Sequence, residues 1–260
     1  MNSFANFQLQ PELNETLEKI GFTKPTKTQE QTIPLSLELK DLLVCAPTGT
    51  GKTASFAIPI IEKLIFDHHA KALILAPTRE LAQQIFDVFK QLSGANPKLK
   101  PVLLVGGADI RRQINALNKN PKIVIATPGR LNDHLKRKTI KLDQVKSLIL
   151  DEGDRMLDMG FMPQIETIIR FLPKDRQTCL YTATLPAKIA NLASKVLTNP
   201  VRVTIGQDSM PVDKIKQSIV EVSGKKKFDV IVDELNSRSG SIIVFVRTKR
   251  RTDFLFKTLK

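Results

Sequence analysis

Seven short apolar runs mark the chain: Leu42–Cys45, Ala72–Ala76, Val102–Val105, Ile123–Ala126, Leu148–Leu150, Thr178–Tyr181 and Val201–Ile205. They are rich in β-branched and large aliphatic residues and do not alternate with polar positions, as strands buried on both faces should not. Segments of helical period separate most of them. Strand and helix in alternation predict an α/β fold, a parallel sheet with helices on both faces. Ahead of the first run, Leu13, Leu17 and Ile20 share one face of a helix that Gly21 stops. A second helical stretch follows Thr28 and is expected to break near Pro34.

Nearly every run ends in a polar cluster containing Gly, Pro or Thr. Pro77-Thr78-Arg79-Glu80 follows the second run, Gly106-Gly107 the third and Thr127-Pro128-Gly129-Arg130 the fourth. Asp151-Glu152-Gly153-Asp154 follows the fifth and Thr182-Ala183-Thr184 the sixth. Ligands of open α/β sheets bind outside the carboxyl ends of the strands. All these clusters are therefore expected on one edge of the sheet. Turn composition alone would account for one or two of them.

The pattern breaks over Gly206–Pro211, which predicts a linker at 207–213 between a domain of residues 1–206 and a segment 214–260. That segment reads as strand Lys216–Val222, helix Lys227–Leu235, strand Ile242–Val246 and helix Arg251–Lys260. Two strand–helix units cannot bury both faces of a sheet, so 214–260 reads as the beginning of an incomplete second domain. Lys225-Lys226-Lys227 reads as a solvated turn.

Composition narrows the class of partner. The chain has 260 residues, 42% of them hydrophobic, and 40 Lys and Arg against 26 Asp and Glu, a net charge of +14. Such an excess points to a polyanion, nucleic acid before acidic membrane. No basic amphipathic helix stands out to favour a membrane. Aromatic residues are 5%, with no Trp and one Tyr. That is poor material for stacking base after base, so a nucleic acid would be gripped by its backbone. No apolar run reaches membrane length and Met1-Asn2-Ser3 opens no signal peptide, which reads as cytoplasmic. Cys45 and Cys179 lie in apolar runs without metal-ligand spacing and read as core fillers, not a disulfide. His68-His69 reads as solvated loop.

The candidate chemistry begins at Ala46-Pro47-Thr48-Gly49-Thr50-Gly51-Lys52-Thr53, between the first run and the helix-compatible stretch Ala54–Phe66. A strand, a Gly/Thr-rich turn and a helix N-terminus in that order converge backbone N–H groups on an anion. Lys52 would reach the outer phosphates of a nucleotide, and the Thr53 hydroxyl would ligate Mg²⁺. Ala46 stands where the usual pattern has its first glycine, leaving Gly49 and Gly51 to shape the loop. Asp151-Glu152 supplies the complementary half. One carboxylate holds Mg²⁺ through water and its neighbour polarises the attacking water.

Together these motifs resemble the DEAD-box ATP-dependent RNA helicases, and the flanking sequence looks like the bacterial RhlE-type members. The resemblance runs from Gly21-Phe22-Thr23-Lys24-Pro25-Thr26-Lys27-Thr28-Gln29 to Val244-Phe245-Val246-Arg247-Thr248-Lys249. It implies a RecA-like P-loop NTPase domain followed by an incomplete second RecA-like domain, with ATP and Mg²⁺ as cofactors and RNA as partner. It further implies that Gln29 reads adenine, with Phe4 stacking on the base and Phe22 beside it. Thr48, Gly49, Thr50, Gly51, Lys52 and Thr53 would hold the phosphates, Asp151 the metal and Glu152 the water. Asp154 would bond to Thr182 and Thr184, coupling the nucleotide to RNA. Thr78, Arg79, Gly107, Thr127, Gly129 and Arg130 match positions that contact the RNA backbone.

Three departures accompany the resemblance. Gly153 stands where Ala is usual, which should loosen the backbone by ~0.5–1 kcal/mol. Thr182 replaces Ser and keeps the hydroxyl. The family's arginine fingers would lie beyond Lys260, and such fingers contribute on the order of 10³–10⁵ in rate in other phosphoryl-transfer enzymes. The chain is thus expected to bind ATP weakly and hydrolyse little. Two rival readings are a nucleotide-responsive binding module without turnover and a P-loop kinase of small molecules. The net charge, Arg79 and Arg130 weigh against the kinase.

Overall fold

The computed structural model describes residues 3–94, 96–206, 218–222 and 227–259. The chain divides into two compact units, one ending at residue 208 and one starting at 209. The linker expected at 207–213 lies outside the described residues.

The first unit begins with α1 (Pro11–Lys19) and α2 (Lys27–Leu37), then β1 (Leu42–Cys45), α3 (Lys52–Phe66), β2 (Lys71–Leu75) and α4 (Arg79–Leu92). It continues with β3 (Pro101–Leu104), α5 (Ile110–Leu117), β4 (Ile123–Ala126), α6 (Pro128–Lys136) and β5 (Val145–Leu150). The last elements are α7 (Gly153–Asp158), α8 (Met162–Ile169), β6 (Gln177–Thr182), α9 (Ala187–Val196) and β7 (Val201–Thr204). All seven predicted runs are strands, within a few residues at each end.

The strands form a seven-stranded sheet in the order β3-β4-β2-β5-β6-β1-β7, every pair parallel. Successive residues of a strand point to opposite faces. Ala72 and Ile74 accordingly join a core beneath α1 to α4, while Leu73 and Leu75 join a second core beneath α6 to α9. This explains the missing polar alternation: both faces are covered.

The break expected near Pro34 does not occur. Helix α2 runs through Pro34 to Leu37, because it packs against α3 and β1, burying Ile33 and Ser36 on either side of the proline, and tertiary burial outweighs the local cost of proline.

The second unit holds α10 (Lys227–Asn236) and α11 (Lys249–Leu259). The strands expected at 216–222 and 242–246 are not found: among the described residues, 218–222 and 242–246 are irregular. A strand exists by the ladder it joins, and these runs join none; Ile219 and Phe245 stay 92% and 90% exposed.

Candidate functional site: two clefts on one sheet edge

Strand order sorts the polar clusters. Along the carboxyl edge, the segments after β3, β4 and β2 hold Gly107, Thr127 to Arg130 and Thr78-Arg79; those after β5, β6 and β1 hold Asp151-Glu152, Thr182 to Thr184 and the loop ending at Lys52. Two strand spacings, about 10 Å, separate the axes of β1 and β5.

Loop 46–53 turns through Gly49 and Gly51, both at positive φ (82° and 86°). Gly51 is required twice over, since an added Cβ would lie 2.6 Å from Gln29 Nε2 and 2.9 Å from Thr26 Oγ1. Helix α3 starts at Gly51 without a side-chain cap, so its first N–H groups face outward as donors. Lys52 is buried and its Nζ donates to Ala46 O at 2.9 Å. Thr53 is half-buried in the first turn of α3.

Asp151, which does not itself line the cleft shared by Lys52 and Glu152, is near enough to Lys52 to feel its charge. It is 2% exposed, and the Glu152 N–H donates to its Oδ1 at 3.0 Å. Burial pushes its carboxyl up to about 6, against the pull of the Lys52 charge. Glu152 sits at φ 51°, a left-handed conformation that is strained for a side chain of this size. Its Oε2 accepts from Arg155 at 3.1 Å. Thr48, Lys52, Glu152, Asp154, Arg155 and Asp158 line one cleft of about 220 Å³. Hard carboxylate and hydroxyl oxygens beside a lysine and uncapped helix N–H groups suit a magnesium–triphosphate group.

Of the two partners expected for Asp154, Thr184 bonds to it directly, while Thr182 bonds to Thr184 instead. Asp154 Oδ2 accepts from Ala183 N (3.2 Å), Thr184 N (3.0 Å) and Thr184 Oγ1 (3.0 Å), while Thr182 Oγ1 donates to Thr184 O at 2.6 Å. Burial alone would raise the Asp154 carboxyl, but the Thr184 and Arg155 donors outweigh it and hold it below the usual range.

A second cleft of about 520 Å³ gathers Thr78, Arg79, Gly106, Thr127, Gly129 and Arg130. The Arg79 guanidinium lies against Gly106 and Gly107, where a Cβ on Gly107 would overlap it. Arg130 Nη2 donates to Ala108 O at 2.9 Å, and Thr78 Oγ1 caps α4 through Leu81 N at 3.2 Å. Helix α7 joins the clefts. Glu152 and Asp154 at its start line the first; Met159 and Phe161, just past its end, line the second.

Some expectations need correcting. Phe4 is 4% exposed, packed edge-on against Phe7 and Phe22, so its ring has no open face for a base. Phe22 is the half-exposed ring of the group. Gln29 is buried and already engaged: Oε1 accepts from Thr26 N at 2.9 Å and Nε2 donates to Gly51 O at 3.2 Å. One lone pair and one N–H remain for an adenine edge. Gly153 leaves no vacant methyl site, since Leu180 Cδ1 would lie 2.6 Å from an added Cβ. Cys179 is core, its thiol pushed up to about 12 by burial, but Cys45 is half-buried with its Sγ 3.4 Å from Ala183 O.

Thr26, not among the residues expected at the site, donates to Thr50 O at 2.7 Å and completes a capping box with Gln29. The Thr-x-x-Gln spacing was the available signal. A buried chain from His134 to Gln113 (3.0 Å) to Val105 O (3.0 Å), equally unexpected, ties α6 and α5 beneath the Gly106-Gly107 turn. A lone His and Gln on separate helices give no sequence signal.

Comparison with known proteins bears on this geometry. Residues 26–192 match the family model "DEAD/DEAH box helicase". The chain is 44% identical over 259 residues to the DEAD-box ATP-dependent RNA helicase CshA of Bacillus licheniformis, covering 99% of this chain and 53% of that protein. It is 44% identical over 261 residues to the ATP-dependent RNA helicase CshA of Listeria monocytogenes, covering 100% and 50%. The chain thus spans about half the length of the curated relatives it matches. A crystal structure of a DEAD box protein from the hyperthermophile Methanococcus jannaschii superposes with a TM-score of 0.75 at 40% identity, covering 100% of this chain and 70% of that one.

Proposed function

Since this chain belongs to the DEAD/DEAH box helicase family, we propose that it binds Mg²⁺–ATP in the cleft at Lys52 and RNA in the cleft at Arg79 and Arg130. ATP hydrolysis in the first would drive local unwinding or remodelling of RNA held in the second. The observation that carries this reading is α7, which lines the first cleft from Asp154 to Asp158 and leads directly into Met159 and Phe161 of the second.

The geometry supports a role for each residue. Lys52 Nζ exchanges Ala46 O for outer phosphate oxygens, and the first N–H groups of α3 close around the same group. Thr53 Oγ1 and Asp151 would hold Mg²⁺, which when bound neutralises charge developing on the phosphate oxygens. Glu152 accepts the proton of the attacking water, its carboxylate aimed by Arg155. Gln29 offers its remaining N–H and lone pair to adenine, and Phe22 its ring. Asp154 ties this pocket to Thr184, so that a shift of α7 reaches the segment after β6. Arg79 and Arg130 grip phosphates, with Gly107 and Gly129 allowing close approach; a grip of that kind carries no sequence code.

The relatives are of CshA type, and we place the chain with them ahead of the RhlE-type subgroup suggested by its flanking sequence. A cytoplasmic setting and the domain division at 207–213 belong to the same proposal. The test is phosphate release from Mg²⁺–ATP with and without RNA, at single-turnover sensitivity. RNA should stimulate release by the wild type, and Lys52→Ala or Glu152→Gln should abolish the stimulated part. Undiminished stimulation in either variant would overturn the mechanism.

A further inference from the structure

The positive charge of the chain does not collect where the RNA cleft lies. On the carboxyl edge, the segments leaving β3, β4, β2 and β5, with the first turn of the helix each enters, carry five arginines and five carboxylates. The opposite edge is unbalanced. Lys98 and Lys100 precede β3, Lys119 and Lys122 precede β4, Lys71 opens β2, and Arg137, Lys138 and Lys141 precede β5. Within those four segments only Asp67 and Asp143 oppose these eight cations, and Asp67 already accepts from the His69 and Ala70 N–H groups.

The four strands are neighbours in the sheet, so the cations line up over about 15 Å at the usual strand spacing. A cleft of about 340 Å³ opens within the row, lined in part by Lys71, Asn120, Lys141 and Gln144. Helix dipoles explain a share of this charge, because helix C-termini lie on this edge and favour cations. Lys122 serves that purpose, donating to Leu64 O at the end of α3 (3.0 Å). Lys98, Lys100, Lys119, Lys138 and Lys141 do not. All five are exposed, and among the described residues none makes a side-chain hydrogen bond or ion pair. Crowding is felt within the row: burial and, after it, the Lys98 charge hold the Lys122 ammonium below the usual lysine range.

We propose that this amino-end edge is a second surface for the RNA backbone, holding the continuation of an RNA whose other part lies in the cleft at Arg79 and Arg130. The inference rests on the RNA reading above and extends it to a face the first cleft does not include. Free lysine ammonium groups suit phosphates and read no bases. A membrane surface fits less well, since among the described residues the four segments and the helix ends that enter them expose one large apolar side chain, Phe66, and insertion calls for several.

The experiment compares the wild-type chain with a variant carrying Lys98→Gln, Lys100→Gln, Lys119→Gln, Lys138→Gln and Lys141→Gln. Affinity is measured across a salt series for a short single strand that fills one cleft and for an RNA several times longer. The long RNA should bind the variant tenfold or more weakly, with a log–log salt slope shallower by about 0.7 for each phosphate no longer neutralised, while the short strand is unaffected. Unchanged affinity and slope for the long RNA overturn the inference and leave the first cleft intact. Equal losses for both RNAs overturn it as well, because the lysines would then act by general attraction. Failure of the wild type to bind either RNA overturns both readings. Lost binding to phosphatidylserine vesicles, with RNA binding unchanged, overturns it in favour of a membrane.

Discussion

Asp151→Asn should stabilise the nucleotide-free protein while disabling it. The Asp151 carboxyl is 2% exposed and stands at about 6, raised from 3.8 chiefly by burial. A rise of about two pKa units corresponds to ~3 kcal/mol held against the folded state once the group is ionised. The sign follows from proton binding. The folded chain binds this proton more tightly than the unfolded chain, so stability falls as pH rises from about 4 through about 6 and is level above that. Asparagine cannot ionise, and its Oδ1 can still accept from Glu152 N. Its new NH₂ needs an acceptor and gives back ~1–2 kcal/mol where none is found. The expected net gain is ~1–2 kcal/mol at neutral pH, or a few degrees in melting temperature for a domain of this size. Thermal denaturation in chelator, without nucleotide, from pH 7.5 to pH 4 measures it. The variant should melt higher at neutral pH, and the difference should shrink and then reverse toward pH 4, where the wild type is protonated and only the amide's cost remains. Equal or lower stability at neutral pH, or a gap that ignores pH, would refute the reasoning.

Further predictions concern the neighbours of that residue. Glu152→Gly should stabilise by ~1 kcal/mol by relieving the left-handed backbone and should abolish hydrolysis; denaturant titration and phosphate release check the two halves. Gly153→Ala should gain helix propensity of ~1 kcal/mol but overpack against Leu180 by ~1–3 kcal/mol. Adding Leu180→Val should restore part of the loss, and a strictly additive double-mutant cycle would disprove the clash. Asp154→Ala should leave the Ala183 and Thr184 donors unpaired, costing ~1–3 kcal/mol, and should lower RNA stimulation of hydrolysis more than nucleotide affinity. Titration calorimetry beside a hydrolysis assay separates those effects.

Much of this was legible in the chain because both physical signals are local. Buried parallel strands leave unbroken apolar runs, and a ligand at their carboxyl ends leaves polar clusters after them. The order of the strands was not legible. Nothing in the sequence states that β6 lies between β1 and β5, yet that placement sets Thr184 between the loop at Lys52 and the acids at Asp151. Long-range occupancy was equally hidden. Phe4 reads as an aromatic free to stack, and only packing shows it enclosed by Phe7 and Phe22. Gly153 reads as a missing methyl, whereas Leu180 fills the space. The runs at 218–222 and 242–246 have strand composition without the neighbour that makes a strand. Net charge suggested a polyanion as partner but not the face that carries the excess.

The central claim is that Lys52 and the Asp151-Glu152 pair serve one magnesium–triphosphate. Its most direct measurement is calorimetric titration of the chain with Mg²⁺–ATP, using the wild type, Lys52→Ala, Asp151→Asn and the double variant. One site per chain is expected, with a loss of tenfold or more (~1.4 kcal/mol) in each single variant and a double variant little worse than either, because both residues act on the same ligand. Wild-type affinity in either single variant, or losses that simply add, would contradict that claim.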